Sequence, residues 1–416
     1  MTTFHRRSLL KAGLGLGLGL GAGALAAPWI AGPARAANKI RLGSLLDTSG
    51  IFDLYGKPMD MAVRLGIDQI NKAGGLNGRE VEIVSYDTQS DMALYPQYVQ
   101  QLVRTDKVDV VVGGILSASR EAIRPILHRA KVPYFFSTLY EGGVCDRNIM
   151  MTGITPAQEL EVLVPEAIKK WGKKVYIIAA DYNYGQITAR WMQKYAKDAG
   201  ADVLSVDFFP LDVTDFGSTI AKIQSASPTL ILSALVGGNH LAFYRQWTAS
   251  GMKSKIPIAS ATLGSANEHK ILTAEESNGI LVAYNYSLEL QNAANKAFLA
   301  AWAAKYGDTG MVHELAVSHY QAVMLWAAAV RKAGGVERDP MVKALEDNLS
   351  IDGPGGKLTV DPKTHHLILD IHLMEIMGQK MTIVRDFAQR PPVDTQQVCD
   401  LVARPNDTKQ YEIKIN

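Results

Sequence analysis

The chain has 416 residues, 47% of them apolar, with 43 basic residues, 41 acidic ones and two cysteines. That length exceeds what a single hydrophobic core sustains and predicts two domains. The near-neutral balance argues against a nucleic-acid partner, which requires a basic excess, and two cysteines are too few for a disulfide scaffold.

The first stretch, HRRSLLKAGLGLGLGLGAGALA (5–26), combines regularly spaced glycines with leucines. A dinucleotide-binding loop needs a strand before its glycines, and Arg6 and Arg7 stand too near the N-terminus to leave room for one. The run from Ala12 to Ala31 is about long enough to cross a bilayer, but its alternate glycines lower both hydrophobicity and helix propensity. A charged start, a mildly apolar run and the small-residue site Ala34-Arg35-Ala36 instead predict a cleaved signal peptide over 1–36. Arg6-Arg7 followed by Ser8-Leu9-Leu10-Lys11 resembles the twin-arginine signal, which implies export of the folded protein by the Tat translocase into the periplasm. Cleavage removes four basic residues and no acid, leaving 39 basic against 41 acidic ones. No cysteine lies near the cleavage site, so no lipid anchor is expected. In an oxidising compartment Cys145 and Cys399 are either bonded or two buried thiols, and their spacing leaves both open.

From Asn38 onward, short apolar runs alternate with amphipathic segments. IRLGSLL (40–46) reads as a strand, MDMAVRLGIDQINKAG (59–74) as a helix stopped by Gly74-Gly75, and EVEIVSY (80–86) as a strand. The helix YPQYVQQLVRTD, the strand VDVVVGG (108–114), the helix SASREAIRPILHRA and the strand VPYFFST (132–138) follow. The alternation then restarts with strands KVYIIAAD (174–181), ADVLSVDFF (201–209), TLILSALV (229–236) and KIPIASA (255–261), separated by helices such as ITARWMQKYAKDAG. GILVAYNYS (279–287) precedes three helix-like stretches, the longest at 313–334. A β-rich tail containing GGKLTVD and LILDIHLMEIM comes last. The pattern predicts an α/β fold with two similar lobes of parallel sheet covered by helices. In such folds ligands sit beyond the carboxyl ends of the strands, here in the crevice between lobes.

Several segments carry a resemblance to a known family. GIDQINKAGGLNGREVEIVSYD (66–87), SASREAIRPIL (117–127), YEGGVCDRNIMMTGITPAQ (140–158), DYNYG (181–185) and DPKTHHL (361–367) resemble the type I periplasmic solute-binding proteins of ABC transporters. YEG with CDRNIMMTG, and DPKTHHL, are similar to the branch that binds urea and short amides, a sister of the Leu/Ile/Val binders. The resemblance implies two Rossmann-like lobes joined by a three-segment hinge that closes on a small polar molecule (urea, an amide or an amino acid). The N-terminal lobe is expected over 39–156 plus 285–350, and the C-terminal lobe over 157–284 plus 351–416. The implied partner is an ABC permease in the inner membrane. A periplasmic sensor that reports its ligand to a membrane receptor is the alternative.

The strand ends supply the candidate ligand contacts. Ser117 and Ser119 open a helix, where hydroxyls and free backbone N–H groups form a donor cluster, and the resemblance places ligand at Ser117. Thr138, Tyr182 and Tyr184 face the cleft by the same resemblance, the tyrosines offering a flat ring and a phenol. Gly237 ends a strand of the second lobe and permits close backbone approach. Ile115, Phe136, Tyr140 and Thr262 rank below these. Tyr140 and Glu141 are also candidates for holding a hinge-side loop together. Ile115 stands where the urea and amide relatives tend to carry an aromatic residue, and Phe136 lacks a hydroxyl common there, so a more apolar or roomier cleft is expected.

Amino-acid relatives pair the ligand's ammonium with a carboxylate, because a buried unpaired ammonium is costly. SALVGGNHLAFYRQW contains no acid, which favours a neutral polar ligand unless Asp47, Asp181 or Glu141 serves instead. No G-x-S-x-G, H-E-x-x-H, P-loop or C-x-x-C pattern supports an enzyme or a cofactor. His365-His366 are adjacent and point to opposite faces of a strand, which disfavours a metal site. Glu159 and Glu161 read as favourable charges at a helix start.

Overall fold

The computed structural model describes residues 39–415, so the predicted signal segment lies outside the described residues. The first half of the sheet is built from β1 (Ile40–Leu46), β2 (Val81–Asp87), β3 (Val110–Gly113), β4 (Tyr134–Phe136) and, after the short β5 (Val144–Asp146), β6 (Ile149–Met151). Their order is β2-β1-β3-β4-β6, every neighbouring pair parallel. β7 (Lys174–Ala180), β8 (Asp202–Phe209), β9 (Leu230–Ala234), β10 (Ile258–Ser260) and β11 (Leu281–Tyr284) repeat the arrangement in the order β11-β10-β9-β7-β8, again parallel. Strands that are apolar throughout need cover on both faces, and most are followed by a helix that supplies it, whereas β4 runs on into β5 and β6 before the helix Pro156–Trp171. Helices Asp53–Lys72 and Glu314–Ala333 pack together on the first half, and Pro156–Trp171 and Asn183–Asp198 on the second.

The tail joins the halves. β12 (Ser350–Gly353) pairs with β13 (Gly356–Asp361), and β13 pairs with the start of β14 (His366–Met377). His366 also meets Met151 of β6, whereas residues from His372 to Glu375 pair antiparallel with β11. One strand therefore belongs to both halves. β15 (Lys380–Arg390) returns along β14, and β16 (Thr408–Gln410) pairs with β5 in a separate two-stranded sheet, which brings this last segment back to the chain between β4 and β6. Cys145 and Cys399 form a disulfide across 254 residues of chain, their Cα atoms 5.3 Å apart.

Most predicted strands appear within two or three residues of their expected ends. The first helix differs more: it begins at Asp53 rather than at residue 59 and contains Pro58. A proline near a helix start forgoes one ladder bond, and burial of Phe52, Tyr55 and Met59 favours the extra turns. Among the described residues, no helix is long and apolar enough to cross a membrane.

Candidate functional site

Six strand ends converge on one cleft. Beyond β1 come Phe52 and Tyr55; beyond β3, Ile115, Leu116 and Ser117; beyond β4, Thr138 and Leu139. The second half contributes Tyr182 and Tyr184 after β7, Val236 after β9, and Thr262 and Ser265 after β10, with Leu315 from the helix Glu314–Ala333. The cleft encloses about 460 Å³, its open mouth included. A tight turn brings Ser117 to it. Gly113 takes φ +140° with its missing Cβ only 2.2 Å from the carbonyl oxygen of Leu45, so no larger residue fits between the strands there.

Hydroxyls supply the polarity of this wall, and among the described residues no charged side chain lines it. Ser117 opens the helix Ser117–Ala130, whose first ladder bond runs from Arg120 N to Leu116 O at 3.0 Å. The N–H groups of the preceding turn stand outside that ladder. Ser117 Oγ donates to Glu141 Oε2 at 2.5 Å. Thr138 Oγ1 donates to Gly114 O at 3.3 Å and Thr262 Oγ1 to Leu235 O at 2.6 Å. The rings of Tyr182 and Tyr184 lie 6.0 Å apart and tilted. Tyr184 is buried and its hydroxyl has no hydrogen-bond partner among the described residues; Thr188 Oγ1, beside it, is equally unpaired there. Burial raises the phenols of Tyr55, Tyr182 and Tyr184, helped by the carboxylates of Glu268, Glu141 and Glu159 respectively. All three remain protonated and able to donate.

Ser117, Thr138, Tyr182, Tyr184, Ile115 and Thr262 thus share one cavity wall. Ser119, Gly237, Phe136 and Tyr140 do not line it. Ser119 Oγ turns back to Leu116 O at 2.7 Å. Gly237 takes φ +76° to start the helix Gly238–Ala249, leaving its neighbour Val236 on the wall. Phe136 and Tyr140 lie behind the site, under the guanidinium of Arg120 at 5.1 and 4.7 Å. Tyr140 also hydrogen-bonds His366, so it ties the loop after β4 to β14.

Residues 39–380 match the periplasmic binding protein family, a span of most of the chain. The chain belongs to that family. Among curated relatives of this periplasmic binding protein is Leu/Ile/Val-binding protein homolog 6 of Brucella melitensis, 24% identical over 363 residues, covering 85% of this chain and 91% of the relative. Among solved structures, an ABC transporter solute-binding protein from R. palustris in complex with 4-hydroxybenzoate is 24% identical, with TM-score 0.77, covering 85% of this chain and 98% of that one. A branched-chain amino acid transporter substrate-binding protein from Streptococcus pneumoniae in complex with isoleucine is 21% identical, with TM-score 0.74, covering 85% and 100%. The family and the relatives it matches are binding proteins rather than enzymes.

The acids of this periplasmic binding protein depart most from their sequence reading. Asp47 is consumed by Tyr95 Oη at 2.5 Å, Ser90 N at 2.9 Å and the Thr88 hydroxyl. Asp181 is exposed and accepts from Gln186. Glu159 does stand in the first turn of the helix Pro156–Trp171, as expected, but it is buried there and its Oε1 has no partner among the described residues. Burial first, then the facing Glu314 carboxylate, raises its pKa well above the usual range. Glu161 does pair at the surface, with Arg390. Glu314 is buried too, its pKa pushed up to about 8 by desolvation. Glu268 holds the turn at the end of β10, accepting from Gly264 N at 2.9 Å and Ala266 N at 3.0 Å.

Phe52, Tyr55, Val236, Ser265 and Leu315 were not anticipated. The strand-end rule that selected Ser117 also applies to the segment after β1, and would have found Phe52 and Tyr55 had the first helix not been started at residue 59. Leu315 comes from a distant helix and carries no local signal.

Proposed function

We propose that this protein is the extracytoplasmic solute-binding component of an ABC importer, exported by the twin-arginine route and acting in the periplasm. Its two lobes, 39–156 with 285–350 and 157–284 with 351–416, close by hinge motion on a small neutral molecule, and the closed form docks on the permease. Ser117, Thr138, Tyr182, Tyr184 and Thr262 are the proposed polar contacts. The ligand is a primary amide with an apolar body. One observation carries this reading: the cavity wall offers hydroxyls and aromatic rings and no charged side chain. An amino acid's ammonium would be buried there without a counter-ion, which costs several kcal/mol. Urea alone would leave the faces of Phe52, Tyr55 and Ile115 uncovered.

A second reading is a small aromatic acid. The four rings of Phe52, Tyr55, Tyr182 and Tyr184 favour it, as does the likeness to the R. palustris protein in complex with 4-hydroxybenzoate. Its carboxylate would sit at the N–H groups that open the helix Ser117–Ala130.

Thermal unfolding of residues 37–416 with acetamide, benzamide, urea, 4-hydroxybenzoate or leucine separates these readings, because a ligand that binds only the folded state raises Tm by mass action. Stabilisation by the amides supports the first reading, and stabilisation by 4-hydroxybenzoate alone supports the second. Stabilisation by leucine alone overturns the argument from the uncharged wall.

A further inference from the structure

The proton of the Ser117 hydroxyl is already committed. Oγ donates to Glu141 Oε2 at 2.5 Å, and Glu141 Oε1 accepts from Arg120 Nη2 at 2.9 Å. Both side chains are buried, Arg120 completely. The guanidinium is fixed from several sides: Nε donates to Glu121 Oε1 at 2.9 Å, Nη2 also to Gln410 Oε1 at 2.9 Å, and the plane rests on Phe136 and Tyr140. A carboxylate held by a guanidinium only accepts, and a hydroxyl has one proton and two lone pairs. Once that proton is given to Glu141, Ser117 has only lone pairs to offer the cleft.

We infer that Glu141, acting through Ser117, is a specificity-determining positioning residue: it makes Ser117 an acceptor and so selects ligands that bring an N–H or O–H to this point. A primary amide places its NH2 at Ser117 and its oxygen at the backbone N–H groups of the same helix start. The isosteric carboxylate sets a lone pair against a lone pair at the serine, which forfeits a hydrogen bond and leaves buried acceptors facing each other. The inference rests on the reading of the cavity as the ligand site.

Glu141→Gln reverses the polarity. The guanidinium has no lone pair, so it retains the amide oxygen, and the NH2 group turns to Ser117. Ser117 then accepts from residue 141 and releases its proton to the ligand. Calorimetric Kd values for benzamide and benzoate at millimolar protein-ligand concentrations test this. The wild-type protein is expected to favour benzamide, and the ratio Kd(benzoate)/Kd(benzamide) is expected to fall about tenfold or more in Glu141→Gln, roughly one hydrogen bond's worth of discrimination. Ser117→Ala keeps the Arg120–Glu141 pair and is expected to lower the same ratio, so the test survives if Glu141→Gln does not fold. A loss of structure would weaken both ligands alike and leave the ratio in place. An unchanged ratio in the folded variants overturns the inference while the cavity reading stands. Failure of both probes to bind the wild-type protein overturns the cavity reading and the inference together.

Discussion

Arg124 and Asp146 meet inside the protein, Nη1 to Oδ2 at 2.9 Å, with Asp146 wholly buried and Arg124 nearly so. The same Nη1 donates to Thr408 O at 2.8 Å, so one guanidinium binds the helix Ser117–Ala130, β5 and β16 together. Asp146 also takes His128 Nδ1 and Asn148 N, each at 2.8 Å. Removing one partner of a buried pair leaves an uncompensated charge, typically at a cost of ~3–5 kcal/mol. Arg124→Ala should therefore lower unfolding stability by about that amount and speed amide exchange at residues 408–410. A loss below ~1 kcal/mol would show that the pair contributes little net stability.

The disulfide reinforces the same junction, since Cys145 lies in β5 and Cys399 begins the run to β16. Closing so long a loop restricts the unfolded chain, and losing such a bond commonly costs ~2–5 kcal/mol. A Cys145→Ser, Cys399→Ser double variant is expected to unfold at lower denaturant and to loosen the tail. Coincident unfolding curves with and without the bond would contradict this.

Tyr184→Phe separates binding from folding. The hydroxyl has no partner, so its removal should change the unliganded stability by less than about 1 kcal/mol. If the proposed ligand supplies that partner, affinity for the best amide of the panel falls several-fold. Tyr182→Ala should weaken binding further, through loss of the ring face. Equal affinity in both variants and the parent would remove these tyrosines from the site.

Glu314 gives a pH signature. Its pKa is raised from 4.5 in the unfolded chain to about 8 in the folded one. Between these values the folded state binds more protons, so this group's contribution to stability falls as pH rises through that window. Glu159 acts in the same direction. Buried His313, lowered to about 3, and His319, lowered to about 4, act oppositely as pH falls below 6.5. The comparison that isolates Glu314 is therefore variant against parent: Glu314→Gln should gain stability relative to the parent as pH is raised from 5 to 8. Parallel stability curves across that range would place the carboxyl in contact with water or a cation.

Where a residue's placement depends on its near neighbours in sequence, it was legible. Alternating apolar runs and amphipathic segments located the parallel strands, and the ends of β3, β4 and β7 pointed to Ser117, Thr138, Tyr182 and Tyr184 on one wall. The charged, alternating β15 and the short β16 were harder to read, because an edge strand with a solvated face lacks the apolar run that marks a central one.

By itself the sequence determined the two-fold α/β alternation, the strand-end position of the cleft and its family, because period and strand-to-helix turns are encoded within about ten residues. Tertiary structure alone decided that Cys145 bonds Cys399, that β14 serves both halves, that Glu159 and Glu314 are buried with no cation paired to them among the described residues, and that the Ser117 hydroxyl donates its hydrogen bond to Glu141. Each of these is a meeting of groups brought together by folding, and a hydrogen bond or a desolvation cost depends on what packs against a group rather than on what adjoins it in the chain.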